Sequence, residues 1–286
     1  MTKTKVFNGI SFTFRHLFLL ILATIWLIPI IWLVFNSFSE FQGINIRQFF
    51  PESYSLTAYR LLLFDDTDTV ARFPVWFMNT LIIAIFSCII SSLFVLMVSY
   101  ATSRMRFRGR RSLMSIGVIL GLFPGFLAMI AVYFILRSFG LTNNHWGLVL
   151  IYAGSSGLGY LIAKGFFDTI SETLSESARL DGATEAQIFW SIIIPLSKPI
   201  IVYTVISAFL LPWMDFMFAS IMLNSGIATD WTVAIGLFRM LDRVLINSHF
   251  ARFCAGGVLV SIPISILFII MQKFYIEGIT GGSVKG

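Results

Sequence analysis

The stretch VWFMNTLIIAIFSCIISSLFVLMVSY, residues 75–100, decides the fold of this chain. It contains no Asp, Glu, Lys or Arg, and it exceeds the roughly 20 apolar residues that a helix needs to cross a bilayer. Backbone groups in lipid must be hydrogen-bonded within the protein, which favours a helix over an isolated strand. The stretch therefore predicts a membrane-spanning helix.

Five further stretches share this apolar character, so we predict six membrane-spanning helices, at 17–35, 75–100, 113–136, 146–163, 200–223 and 253–274. The composition agrees, because 57% of the residues are hydrophobic and 12% are charged, against about 25% charged in a soluble domain. We expect an all-α integral membrane protein in the lipid bilayer, with residues 1–286 forming one transmembrane domain, a six-helix bundle.

The 17–35 stretch follows basic residues as in a signal peptide. Its 19 residues exceed the usual apolar core of about 7–15, so we expect a retained helix.

The distribution of Lys and Arg predicts the orientation in the membrane. Six spans place both termini on one side, and if that side is the cytoplasm, the inner segments hold 13 of the 20 Lys and Arg residues. The positive-inside rule therefore predicts cytoplasmic termini. The five arginines within residues 104–111 fit an anchor beside lipid headgroups, and no nucleic-acid partner is expected.

The predicted inner loop at residues 165–199 reads GFFDTISETLSESARLDGATEAQIFWSIIIPLSKP. Thr173 and Glu176 have the spacing of a capping box ahead of a short helix. Gly182 can end that helix in a left-handed conformation, and Asp181 can cap a second helix. The pattern predicts two short helices with a sharp bend between them.

The same loop resembles the signature of ABC importer permeases, in which E-A-A is followed by three residues, G, nine residues and I-x-L-P. The matching residues are Glu176, Ser177, Ala178, Asp181 within the three-residue spacer, Gly182, Ile192 and Pro195. Ser177 replaces Ala and Ile194 replaces Leu, and the spacing is kept. In that family the loop forms a coupling helix that docks into a cleft on the ATP-hydrolysing subunit. The resemblance implies this role for the matching residues.

Other segments extend the resemblance to nearly the whole chain, which is similar to the smaller permease of maltose/maltodextrin-type carbohydrate importers. These segments are Asn79–Ala84, Arg104, Pro124, Pro212–Phe216 and Gly278–Gly286. Met214 is a departure, because such permeases often carry Asn there. The resemblance implies a prokaryotic cytoplasmic membrane and several partners: a homologous permease in a heterodimer, two ATP-binding subunits, an extracytoplasmic sugar-binding protein and a sugar. Which sugar is transported is left open.

Two groups of residues carry further expectations. The resemblance implies that the cytoplasmic tail at 275–286 contacts the ATP-binding subunits through Gly281, Gly282 and Lys285, whereas its glycine-rich composition alone indicates a frayed end. Asn79 and Asp215 are candidates for the translocation path. An ionisable side chain in an apolar span suggests function, although Asp215 could equally lie hydrated or ion-paired near the outer face.

The sequence offers no candidate catalytic or metal-binding site. It has no GxxxxGK[ST], HExxH or GxSxG motif, and Cys88 and Cys254 lie apart in apolar runs, as small buried side chains do. We expect a transporter subunit that is not an enzyme and needs no cofactor of its own, with ATP bound by partner subunits. The alternative is a stand-alone secondary transporter or channel, but the spans carry few of the midplane charges that such carriers use.

Overall fold

The computed structural model of the chain describes residues 2–45, 48–65, 67–155 and 159–283. Within these ranges the regular structure is helical, and one isolated β-bridge pairs Ser39 with Tyr54. The α-helices are α1 (Thr2–Ser37), α2 (Thr57–Phe64), α3 (Phe73–Arg104), α4 (Arg110–Leu122), α5 (Gly125–Ser138), α6 (His145–Gly154), α7 (Gly159–Asp168), α8 (Glu172–Leu180), α9 (Glu185–Ile188), α10 (Ile194–Leu196), α11 (Lys198–Met214), α12 (Met217–Met222), α13 (Val233–Met240) and α14 (Ile246–Ser283). A π-helical turn at Phe189–Ile193 and a 3₁₀ turn at Ala228–Asp230 complete the set.

The helices confirm the prediction of an all-α membrane-spanning chain. Four stretches are long and apolar enough to cross a bilayer: Arg15–Ser37, Phe73–Arg104, His145–Asp168 and Ile246–Lys273. Two bent helix pairs pass the same test together, Arg110–Leu122 with Gly125–Ser138 and Glu185–Leu196 with Lys198–Met214. If each pair is one span, the number rises to six within the described residues. The last helix runs to Ser283, so residues 275–283 of the predicted 275–286 tail are helical.

Two of the predicted spans are broken rather than continuous. The 113–136 span consists of α4 and α5, which meet at 105°. Pro124 disfavours the helical conformation of the residue before it, and Phe123 is extended accordingly (φ −72°, ψ 134°). The 200–223 span ends its first helix at Met214, and Asp215 is also extended (φ −82°, ψ 107°). Hydropathy predicted the apolar content of these spans but not the breaks.

The described residues form two compact units. One contains Met1–Asp68 and Arg239–Leu259. Within it Asp68 accepts a hydrogen bond from Arg252 Nη1 (2.6 Å) and lies 2.8 Å from His249 Nε2, and these side chains are largely buried. A buried carboxylate needs such partners, and here they fasten the start of α14 to the chain before α3.

The other unit contains Thr69–Phe238 and Val260–Gly286. Helix α3 is its central element and packs against α6, α7 and α11. One apolar cluster includes Ile83, Tyr152 and Phe218, and a second, toward the C-terminal end of α3, includes Val95 and Leu96. This unit carries the 165–199 loop and Asp215.

Candidate functional site

The 165–199 loop folds as two short helices joined by a tight bend. Helix α8 is followed by Gly182 in the left-handed region, at φ +84°, where a residue without Cβ incurs no steric penalty. Ala183 N–H donates to Ala178 O (2.9 Å), and Gly182 N–H donates to Arg179 O (3.0 Å). These two bonds form a Schellman motif. The bend predicted at Gly182 is confirmed.

The predicted cap of the first loop helix is wrong. Helix α8 begins at Glu172 with Ser171 before it, so Thr173 and Glu176 both lie inside the helix. The Ser171 hydroxyl contacts the Thr173 hydroxyl (2.7 Å) instead of a backbone amide. Ser, Thr and Glu recur through this loop, so the capping spacing fits at more than one position.

The capping box of the loop lies at the start of α9. Thr184 N–H donates to Gln187 Oε1 (2.8 Å), and Gln187 N–H donates to Thr184 Oγ1 (3.3 Å). Asp181, which the sequence predicted as this cap, is instead the C-cap residue that follows α8. The reciprocal box fixes the direction in which α9 leaves the bend, and it fixes the backbone of Glu185, the first residue of α9.

The second half of the loop packs on an apolar cluster. Its buried members are Val95, Leu96, Tyr100, Ala163, Phe167, Ile188, Phe189, Ile193 and Ile200. In the π-helical turn, Ile194 N–H donates to Phe189 O five residues back. Pro195 has no N–H to continue the α-helical ladder, which accounts for an irregular turn at this place. Residues of α3, α7, α9 and α11 therefore share one core.

A carboxylate links both halves of the loop to α3. Arg179 Nε, in α8, donates to Glu185 Oε1 (2.6 Å). The Tyr100 hydroxyl, in α3, donates to Glu185 Oε2 (2.6 Å). The Arg179 guanidinium and then the Tyr100 hydroxyl hold the pKa of the Glu185 carboxyl below its ordinary value. We call these three residues the Glu185 bridge.

Polar side chains at the end of α3 also hold the end of α7. Arg104 Nη2 donates to the carbonyl oxygens of Phe167 (2.6 Å) and Ile170 (2.5 Å), where a cation suits the unpaired carbonyls of a helix terminus. The Ser103 hydroxyl donates to Asp168 Oδ1 (2.7 Å). Arg104 is 9% exposed, so its guanidinium is part of the interior rather than of a solvated basic loop.

The opposite side of α8 is uncovered. Glu176 and Ser177 are exposed, and Leu174 and Leu180 expose 45% and 90% of their surface. An apolar side chain as open as Leu180 on a polar helix is a candidate contact for a partner. The motif residues do not form one surface, because Ala178 and Ile192 pack against the apolar cluster.

Asp215 lies at the break between α11 and α12. Its Oδ1 accepts from Phe218 N–H (3.0 Å), and its Oδ2 accepts from the Tyr152 hydroxyl (2.7 Å). It lines a mostly apolar cavity of about 460 Å³. The walls come from α5, α6 and the α11–α12 region: Gly125, Ala128, Met129, Val132, Ile151, Tyr152, Ser155, Leu211, Met214, Asp215 and Phe218. The carboxylate is thus held by the fourth and fifth predicted spans.

The other predicted path residue, Asn79, lies apart from this cavity. Its Nδ2 donates to the carbonyl oxygens of Thr229 (2.9 Å) and Trp231 (3.0 Å). The amide therefore fixes the segment before α13 to the start of α3. Among the predicted tail residues, Gly281 and Gly282 lie in the last turns of α14, and Lys285 lies outside the described residues.

Sequence reasoning missed the hydrogen bonds of Tyr100 and Tyr152, whose partners lie 85 and 63 positions away. A weaker signal was present at the end of α3. Ser99 with Ser103, and Tyr100 with Arg104, are pairs spaced by four residues, so all four lie on neighbouring rows of one helix face. Four polar side chains on one face of an apolar helix indicate that this face meets polar structure.

Comparisons with known proteins bear on this site. A model of the family described as "Binding-protein-dependent transport system inner membrane component" matches residues 94–280. The chain is 32% identical to the galactooligosaccharides transport system permease protein GanQ of Bacillus subtilis (strain 168), with 100% of both chains covered. It is 30% identical to the maltodextrin transport system permease protein MdxG of the same organism, with 95% of each chain covered.

The fold is also similar to a solved structure. A chain in the crystal structure of a bacterial ABC transporter involved in the import of the acidic polysaccharide alginate superposes with a TM-score of 0.78 at 26% identity. The similarity covers 96% of the present chain and 99% of that one.

Proposed function

The chain belongs to the family of binding-protein-dependent transport system inner membrane components, and from that premise we propose how it works in sugar import. It is a multi-pass membrane protein and a permease subunit of an ABC-type sugar importer. ATP is held by separate subunits, because the chain has no phosphate-binding motif of the Walker type. The permease itself carries no catalytic residue.

The exposed face of α8 carries the proposal. A coupling element must present contacts to a soluble subunit and must also be fixed to the membrane helices. Leu180 is 90% exposed and lies directly before the left-handed bend, whereas Ile188 and Ile193 beyond the bend are fully buried. We propose that α8, with Glu176, Ser177 and Ala178, docks on an ATP-binding subunit on the cytoplasmic side.

The Asp215 cavity fits a segment of the translocation path. A carboxylate is costly in an apolar span unless it is hydrogen-bonded or used, and Asp215 is held by Tyr152 while still facing the cavity. Sugars present hydroxyl groups that a carboxylate and a phenol can bind. Asn79 stays a sequence-based candidate for the path. We propose no sugar contact for it, because its side-chain amide donates hydrogen bonds to two backbone carbonyls.

The partners, the orientation and the sugar are proposed from the family. We propose a second permease subunit, two ATP-binding subunits and an extracytoplasmic sugar-binding protein as partners, with both termini of this chain in the cytoplasm. The α14 terminus with Gly281, Gly282 and Lys285 is proposed to reach the ATP-binding subunits. The named relatives act on galactooligosaccharides and maltodextrin, and we propose a maltodextrin-type oligosaccharide for this chain.

Reconstitution tests the proposal. The chain, tagged for purification, is co-expressed with candidate permease and ATPase subunits from the same organism, and the purified complex is placed in proteoliposomes. We expect the ATPase to co-purify, and we expect ATP hydrolysis to rise when maltodextrin-loaded binding protein is added. Galactooligosaccharides and acidic oligosaccharides serve as comparisons. Failure of any ATPase to co-purify would contradict the permease assignment, whereas stimulation by another sugar alone would contradict only the substrate.

A further inference from the structure

The Glu185 bridge joins helix α8, before the left-handed bend, to the chain after the bend and to α3. Helix α8 precedes the bend at Gly182, and Glu185 lies three residues after it. One carboxylate spans this gap, because Oε1 accepts from Arg179 Nε and Oε2 accepts from Tyr100 OH, both at 2.6 Å. Oε2 also lies 3.3 Å from Arg179 Nη2. The docking helix is therefore connected to α3 by two consecutive hydrogen bonds.

Stability alone does not explain this arrangement. The Arg179 and Glu185 side chains are 38% and 39% exposed, and ion pairs that open to water contribute little to folding. The Tyr100 end differs, because Tyr100 is 4% exposed and its ring lies 5.0 Å from that of Phe189. A charge-assisted hydrogen bond from a buried donor is strong and directional. The bridge thus has a fixed end on α3 and an open end on α8.

We infer that Glu185 is a positioning residue that transmits movement of α8 to the membrane helix α3 through Tyr100. The inference rests on the proposed docking of α8 on an ATP-binding subunit. Without the bridge, force on α8 would pass through the Gly182 bend, whose backbone is held by two hydrogen bonds, and through the apolar packing of Ala178 against the cluster that contains Tyr100. With the bridge, the force reaches Tyr100 directly.

Helix α3 then carries the displacement toward the sugar path. It is continuous from Phe73 to Arg104, and it packs against α6 and α11. Its residue Ile83 belongs to the same apolar cluster as Tyr152 and Phe218, both of which line the Asp215 cavity. Helix α3 therefore contacts the Glu185 bridge at one end and the residues that line the cavity near its other end.

Two conservative variants test the inference in the complete reconstituted complex. Tyr100→Phe removes only the hydroxyl, and Glu185→Gln removes the charge with little change in shape. Tyr54→Phe and Glu40→Gln, in the loop after α1, are the matched controls. The measurements are co-purification of the ATPase and the number of sugar molecules imported per ATP hydrolysed. We expect normal co-purification and a fall in that ratio of roughly 5- to 150-fold, the usual range of coupling between sites.

A charge exchange provides the second test. Glu185→Arg alone should lower the ratio, and adding Arg179→Glu should restore part of it, because the ion pair is re-formed with reversed polarity. An unchanged ratio in both Tyr100→Phe and Glu185→Gln would overturn the inference, as would loss of ATPase binding in Tyr100→Phe, since Tyr100 lies away from the exposed face of α8. If the unmodified chain fails to bind an ATPase, the proposed function fails before the bridge is tested.

Discussion

Replacing Gly182 by Val tests the bend on which the docking loop depends. Gly182 has φ +84°, a conformation that is open to Gly and very unfavourable for a β-branched side chain. A relaxed Val would move the backbone out of the left-handed region. The Schellman bonds from Gly182 N–H and Ala183 N–H would then be lost, and the directions of α8 and α9 would change relative to each other.

Backbone strain at position 182 sets the size of this effect. A Cβ added at Gly182 meets no atom within 4 Å, so crowding against neighbours adds nothing. The cost is the backbone strain, on the order of 1–3 kcal/mol for a non-glycine residue held in this region. If the docked state requires the bend, the affinity for the ATPase should fall by roughly 5- to 150-fold. Gly182→Asn should lose less, because Asn visits the left-handed region more readily.

The assay measures ATPase binding to the purified permease in nanodiscs, together with sugar uptake in vesicles. Gly109→Val is the matched control, because Gly109 has φ +90° and equally open surroundings but lies in the α3–α4 connection. We expect Gly182→Val to insert at a normal level, since the loop lies outside the apolar helices, and to bind the ATPase weakly or fail in uptake. Normal binding and normal uptake in Gly182→Val would refute the assignment of this loop.

Three further predictions concern orientation, the sugar path and the C-terminal segment. A cysteine placed at Asp65 should react with an impermeant reagent in intact cells, and cysteines at Arg108 and Lys285 should not; labelling at Lys285 would contradict cytoplasmic termini. Asp215→Asn should lower sugar uptake while the complex still assembles, whereas a parallel fall in membrane abundance would mean a structural role. Deletion of Gly278–Gly286 should leave insertion intact and reduce transport; unchanged uptake at equal expression would exclude a contribution of this segment to ATPase contact.

Local chemistry made much of the fold predictable. Apolar runs longer than about 20 residues leave few alternatives to membrane helices, and the bend at Gly182 followed from a glycine between two helical patterns. The same local reasoning misplaced the loop caps, because Thr173 and Thr184 each have a Glu or Gln three residues later. Only the backbone path selects between them: Thr184 directly follows the bend and Thr173 does not.

The candidate site was less predictable because its contacts are long-range. Tyr100 and Glu185 are 85 positions apart, and a single sequence does not indicate that these two polar residues meet. The break at Asp215 was hidden for a different reason. Hydropathy averages over a window, so an apolar run with one extended residue scores like a continuous helix, and the capping bond from Phe218 N–H to Asp215 is visible only in three dimensions.

Within this unit, α3 is a continuous helix, whereas the span that contains α11 and α12 is interrupted at Asp215. A continuous helix rises about 1.5 Å per residue, so α3 carries a displacement at Tyr100 over roughly 25 Å to Ile83 with its hydrogen bonds intact. The wall on the other side of the cavity is interrupted at Asp215, where an extended residue joins α11 to α12. A rotation there changes two backbone dihedrals and requires no break in a helical ladder. Under the proposed function, the continuous helix α3 therefore transmits the movement of α8, and the backbone rotates at the break between α11 and α12. This places the conformational change at Asp215, the carboxylate that faces the sugar path.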